Sequence, residues 1–137
     1  MMNPLLLVSL GLTGALTAGP ATASTHPVAP AGRPACGTHV VAGDADNGSS
    51  VCVALGSDVS ILITAYAGST WSSPTTTGHS LGPAMPLPTP FGRVGWQFRT
   101  TARGPADITT TRPVCPSPTT PAADCPLAAY QLHVTVR

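Results

Sequence analysis

Apolar and polar residues alternate along several short stretches of this chain. Val51, Val53 and Leu55 alternate with Ser50, Cys52 and Ala54. After Gly56-Ser57, a second run places Val59, Ile61, Ile63 and Ala65 on one face, with Ser60, Leu62 and Thr64 on the other. Val94, Trp96 and Phe98 repeat the pattern, and so do Ala106, Ile108 and Thr110. The chain closes on Tyr130, Leu132, Val134 and Val136. A period of two is the mark of strands with one buried face. No segment holds a 3.6-residue period over three turns, so the pattern predicts an all-β domain. Thr38–Val41 is predicted as a short edge strand, and Asn47-Gly48 as the tight turn of a hairpin. Gly56-Ser57 is predicted to separate two strands, and Gly104-Pro105 to turn the chain. Trp71 is predicted as a core anchor.

Between the strands the chain is rich in proline. Pro83, Pro86, Pro88 and Pro90 exclude a helix or a central strand there, because each lacks a backbone donor. Pro74 to Pro90 therefore reads as an exposed loop with polyproline-like character, and residues 66–92 as a whole show no assignable element. Residues 116–126 form a second Pro-rich excursion.

Residues 1–23 stand apart from this grammar. An apolar run from Leu5 fades near Ala18, and Ala21-Thr22-Ala23 is an A-x-A cleavage site. This predicts an export signal with Ser24 as the first mature residue. The run is shorter than the roughly 20 residues a membrane helix needs. Residues 24–35 are expected to be a flexible leader, and 36–137 a single domain secreted as a monomer. Four cysteines, at 36, 52, 115 and 125, then read as disulfides. They allow three connectivities. Cys36–Cys52 with Cys115–Cys125 is favoured because each pair flanks a short polar stretch. Closing loops of that size contributes roughly 3 kcal/mol each.

Charge narrows the partners. All six basic residues are arginine, and the formal net charge is +1. Such a neutral chain lacks the footprint for nucleic acid or an anionic membrane. The absence of Lys and Glu, with much Ala, Pro and Thr, points to a GC-rich bacterial source. No cofactor or metal is expected, since neither cysteine pair has zinc spacing and the four histidines are dispersed.

Gly78-His79-Ser80-Leu81-Gly82 matches the G-x-S-x-G elbow, and Asp107 or Asp124 and His133 follow in hydrolase order. The elbow requires a strand before the serine and a helix after it. Here a Thr-rich loop precedes and prolines follow, so Ser80 is read as non-catalytic and the protein as no enzyme. Asn47-Gly48-Ser49 matches a glycosylation sequon and is read as the turn.

From Asn47 to the end, the order of strands and loops resembles the chagasin-type inhibitors of papain-like cysteine proteases. The residues that carry the resemblance are Gly56-Ser57-Asp58-Val59-Ser60-Ile61-Leu62, the Trp96-Gln97-Phe98 strand, Gly104 through Thr111, Arg112-Pro113, and Tyr130–Val136. The resemblance implies a single immunoglobulin-like β-sandwich, here stabilised by two disulfides. It implies three loops at one end that fill a protease cleft without offering a cleavable bond. Pro74-Thr75-Thr76-Thr77-Gly78 is similar to the family's N-P-T-T-G loop. A second register places Gly68-Ser69-Thr70-Trp71 after the strand, with Thr64–Ala67 as the loop. Gly92 and Gly95 stand in the family's glycine-rich loop, and Arg112-Pro113-Val114 in its R-P-aromatic loop, with valine in place of the aromatic. The alternative is an immunoglobulin-like module of the medium or cell envelope that binds a partner without inhibiting a protease.

Overall fold

The computed structural model describes residues 35–137. The predicted signal segment, and the leader up to residue 34, lie outside the described residues. Seven strands follow: β1 Gly37–Ala42, β2 Ser50–Thr64, β3 Thr75–Thr76, β4 Met85–Pro86, β5 Arg93–Arg99, β6 Gly104–Pro113 and β7 Leu127–Val136. Two 3₁₀ turns, Asp44–Asp46 and Ala122–Asp124, interrupt the connections. The strands make a curled sheet in the order β3-β6-β7-β2-β5-β4, with β1 added on β2. The architecture is the all-β, immunoglobulin-like one, and both disulfides form in the favoured pairing.

Strand β2 joins the two walls of this fold. Its first residues, Ser50–Val53, run parallel to β7. Its last residues, Asp58–Thr64, run antiparallel to β5. A straight strand could not do this. Ala42 of β1 stands beside Ile61, yet the chain returns to Ser50 within eight links. Eight links reach at most about 29 Å, whereas straight strand from Ser50 to Ile61 runs about 36 Å. The strand must bend, and the irregular register between Gly37↔Val53 and His39↔Asp58 shows where. Gly56 sits in that interval with φ +89°, a conformation open to glycine at no steric cost. Gly56-Ser57 therefore bends one long strand and does not divide two. The expected Asn47-Gly48 hairpin is also corrected, because β1 and β2 pair in parallel. Gly48 does take positive φ, at +81°. Asn47 instead bridges to β7, donating to the Ala129 carbonyl at 3.2 Å and accepting from Gln131 N–H at 2.9 Å.

The core follows the period-two reading closely. Val53, Val59, Ile61 and Ile63 of β2 meet Trp96 and Phe98 of β5, Ala106 and Ile108 of β6, and Tyr130, Leu132, Val134 and Val136 of β7 in one buried cluster. Thr110 is buried among them and donates its hydroxyl to the Ser72 carbonyl at 2.6 Å. Trp71 is only half-buried. It packs against the cluster's margin and donates its indole N–H to the Thr64 carbonyl at 2.9 Å. The loop reading of Pro74 to Pro90 needs amendment too, since β3 lies on β6 and β4 on β5 as two-residue edge strands. Pro86 fits there because an edge position asks for no second ladder bond.

Gly95 is buried in β5 opposite Leu62. A Cβ there would stand 2.9 Å from the Ile61 carbonyl oxygen. Gly95→Ala should destabilise the fold by about 1–3 kcal/mol, the usual cost of overpacking, read as a lowered unfolding midpoint in urea.

Tyr130 is buried, and its hydroxyl donates to the Gly43 carbonyl at 2.9 Å. Burial, then the negative charges of Asp46 and Asp44, push its pKa up to about 12. The folded state thus favours the neutral phenol. The associated stability is complete below pH 10 and is lost as the pH rises toward 12. Absorbance titration at 295 nm should show one ionisation near pH 12 that is missing in Tyr130→Phe.

Candidate functional site

The ends of β2, β5 and β6 bring three connections to one end of the domain. Thr64 pairs with Arg93, and Ala65 N–H donates to the Gly92 carbonyl at 2.9 Å. The connection leaving β2 therefore touches the turn entering β5. On its other side, the connection leaving β2 meets the end of β6. Ser69 Oγ donates to the Pro113 carbonyl, and Arg112 Nη1 donates to Ser69 Oγ at 3.3 Å.

Arg112 holds this end together. Its guanidinium carbon lies 3.6 Å from the centre of the Tyr66 ring and 5.4 Å from that of Trp71. A planar cation stacked on an aromatic face gains electrostatic energy and covers the ring from water. Arg112 Nε is buried without a hydrogen-bond partner, so the group is held by stacking and by Ser69. Beyond it, Val114 N–H donates to the Pro126 carbonyl at 2.7 Å, and the Cys115–Cys125 disulfide closes the excursion at its base. A shallow groove of about 410 Å³ runs between Tyr66–Ser69 and Arg112–Pro118.

A second anchor lies toward β5. Asp44 accepts from Thr64 N–H at 3.0 Å and from the Thr64 hydroxyl at 2.9 Å. Arg93 donates to Asp44 at 3.4 Å and to the Leu62 carbonyl at 3.0 Å. Partial burial of the Asp44 carboxyl favours its neutral form. The Thr64 hydrogen bonds and the Arg93 charge outweigh that effect and lower its pKa from 3.8.

The apolar surface is concentrated here. Of the exposed large apolar side chains, Tyr66, Phe91, Val114 and Leu127 belong to this end, whereas Val41, Leu55 and Met85 are scattered elsewhere. Leu127 stands opposite Pro113 on β7.

The predicted site residues divide accordingly. Arg112, Pro113, Val114 and Gly92 come together at this end. Gly95 does not, being inside β5. Pro74-Thr75-Thr76-Thr77-Gly78 lies along β6 and presents no loop tip. Pro74 is buried, Thr75 and Thr76 pair with Thr109 and Ile108, and Thr77 N–H donates to the Asp107 carbonyl at 3.0 Å. A Cβ on Gly78 would stand 2.7 Å from the Pro105 carbonyl oxygen. Gly78 therefore sits at the opposite end of β6 from Arg112. Tyr66, Ser69 and Trp71 stand beside Arg112, and Pro74–Gly78 does not. Sequence reading held Tyr66 only as part of the Thr64–Ala67 loop and passed over Phe91. A tyrosine two residues past a strand, and a phenylalanine in a P-x-G turn, were the available signals.

Ser80 is buried, and its hydroxyl donates to the Pro105 carbonyl at 3.1 Å. His133 Nδ1 lies 2.6 Å from Asp107 Oδ1, its cross-strand neighbour. Among the described residues no group of three His, Cys, Asp or Glu side chains stands where it could hold a metal ion. No helix among them is long and apolar enough to cross a membrane.

No protein-family model and no curated protein matches the chain. Solved structures do. The crystal structure of the cysteine protease inhibitor EhICP2 from Entamoeba histolytica is 13% identical, covers 72% of this chain and 95% of that one, and superposes with a TM-score of 0.54. The solution structure of amebosin is 18% identical over 74% of this chain and 100% of its own, with a TM-score of 0.46. PbICP-C, in complex with falcipain-2, is 10% identical over 77% of this chain and 96% of its own, with a TM-score of 0.44. The likeness to EhICP2 is one of fold, consistent with the chagasin-type resemblance of the strands.

Arg112→Ala should free both loops that its side chain joins. Amide hydrogen exchange should accelerate in residues 66–70 and 112–118 and stay unchanged in β7, with a stability loss of about 1–2 kcal/mol. The Asp44 anchor should loosen in acid. A lowered folded pKa gives stability that is complete above 3.8 and is lost as the pH falls through the folded value. Exchange at Thr64 and Ala65 should then rise below pH 4, and Asp44→Asn should remove that pH dependence.

Proposed function

We propose that this protein is a secreted inhibitor of papain-like cysteine proteases, working by occupation of the substrate cleft and not by catalysis. The observation that carries the reading is the convergence of three connections at one end: Ala65–Trp71, Pro90–Arg93 and Arg112–Pro118. They are tied to each other by Arg112, Ser69 and the Ala65–Gly92 hydrogen bond. A wedge of this kind needs loops that stay put on binding. Loops already fixed lose little conformational freedom in the complex, and this raises affinity. The second disulfide serves the same end by closing the excursion beyond Arg112-Pro113. The EhICP2 fold adds support, since that protein is a cysteine protease inhibitor.

Export after cleavage near Ala23 agrees with two formed disulfides, which persist in oxidising compartments. A bacterial source fits the composition, which holds no Lys or Glu. A second reading, an immunoglobulin-like binding module without inhibitory activity, is favoured by one observation: β1 leaves an outer edge exposed, with Val41 turned to solvent. Such an edge can accept an extended segment of another chain.

The oxidised mature protein should inhibit papain or a related enzyme with sub-micromolar affinity, measured by residual peptidase activity on a fluorogenic peptide. Selective loss of the Cys115–Cys125 bond, by replacing both cysteines with alanine, should weaken inhibition about tenfold or more while the β-sheet circular dichroism persists. Absence of inhibition across several papain-like enzymes at micromolar concentration would leave the non-inhibitory module as the reading.

A further inference from the structure

Three aromatic side chains stand at the loop end, and they are not equivalent. The Tyr66 ring is covered by the Arg112 guanidinium. Trp71 packs against the core and spends its N–H on the Thr64 carbonyl. Phe91 does neither. It is fully exposed, at 107% of its reference accessibility, and takes no part in the core cluster.

The backbone beneath Phe91 is nonetheless fixed. Arg93 N–H donates to the Pro90 carbonyl at 3.1 Å, closing a β-turn with Phe91 and Gly92 at its corners. Gly92 has φ +83°, the value a type II turn requires at its third residue. Thr89 Oγ1 donates to the Arg93 carbonyl at 2.7 Å, and Ala65 N–H holds the Gly92 carbonyl from the neighbouring loop. Pro88 and Pro90 stiffen the approach. A large apolar side chain is thus displayed in water on a clamped turn, where it gives the fold nothing. Rigid aromatics presented this way are the residues that most often dominate an interface, because they bury much area and lose little freedom.

We infer that Phe91 is the principal anchor of the interface and inserts into an apolar pocket of the protease cleft. Arg112, stacked on Tyr66, acts as a positioning residue for the flanking loop. The inference rests on the inhibitor reading above and adds to it the residue that sets affinity and partner choice. A protease with a polar or filled pocket at that position should be refused.

The test compares wild type with Phe91→Ala, Phe91→Trp and Leu55→Ala, each as the oxidised exported protein, by inhibition constants against papain-like enzymes. Leu55 is also exposed, but it pairs with Arg137 at the far end of the fold. Phe91→Ala should raise the inhibition constant tenfold or more, Phe91→Trp should retain inhibition, and Leu55→Ala should leave it unchanged. Thermal midpoints should match, since Phe91 supports no core contact. If wild type inhibits and Phe91→Ala loses less than tenfold, the anchor assignment alone is overturned. If wild type inhibits none of the enzymes, the inhibitor reading fails and the anchor with it. Sedimentation showing a wild-type dimer that Phe91→Ala splits would assign the side chain to self-association and also overturn the inference.

Discussion

Strand β2 must pair with β7 at its start and with β5 at its end, and every later feature depends on that. Hydrogen bonding along a strand is directional, so a strand shared by two walls has to bend between them. The bend falls at Gly56. It lets the apolar faces of β2, β5, β6 and β7 close on one core. It also fixes where β2 ends, because Asp44 and Arg93 hold Thr64 and Leu62 in place. From that fixed point the chain leaves as the Ala65–Trp71 loop, next to the turn that begins β5 and opposite the end of β6.

Stability and the proposed function then separate along the domain. The sheet and its core carry the fold, and Tyr130 pins the β1–β2 connection to β7 through Gly43. The loop end is held by polar and stacking contacts of lower individual worth. Arg112 matters there because one side chain joins the Ala65–Trp71 loop, through Tyr66, Ser69 and Trp71, to the end of its own strand. The Cys115–Cys125 bond limits what the Pro-rich excursion can do beyond it. The result is a rigid rim, with apolar groups facing water, on an otherwise ordinary core.

The strands were legible because burial on one face imposes alternation, and Val59, Ile61, Trp96, Phe98, Ile108 and Leu132 all lie inside as their spacing implies. Pairing direction was not legible. Asn47-Gly48 carries hairpin chemistry, yet the return to a parallel neighbour depends on a bend eight residues later, which no local pattern encodes. The Pro74–Gly78 segment misled for a related reason. Pro, Thr and Gly suit loops and edge strands alike, and only the position of β6 makes Thr75 and Thr76 an edge. At the site, Arg112-Pro113 was visible as a strand exit, but its stacking on Tyr66 joins residues 46 positions apart. Phe91 was hidden by its setting, since an isolated aromatic in a Pro-rich run gives no periodic signal of being outside.

The central claim is that one end of the domain, built from three connections, is the surface that meets a protease. Amide chemical-shift mapping of the labelled protein during titration with inactivated papain tests it most directly. The account predicts perturbations confined to Tyr66–Trp71, Pro90–Arg93 and Arg112–Pro118, with β1 and the Gly104 end silent. Perturbations along the outer edge of β1, or none anywhere at saturating protease, would contradict it.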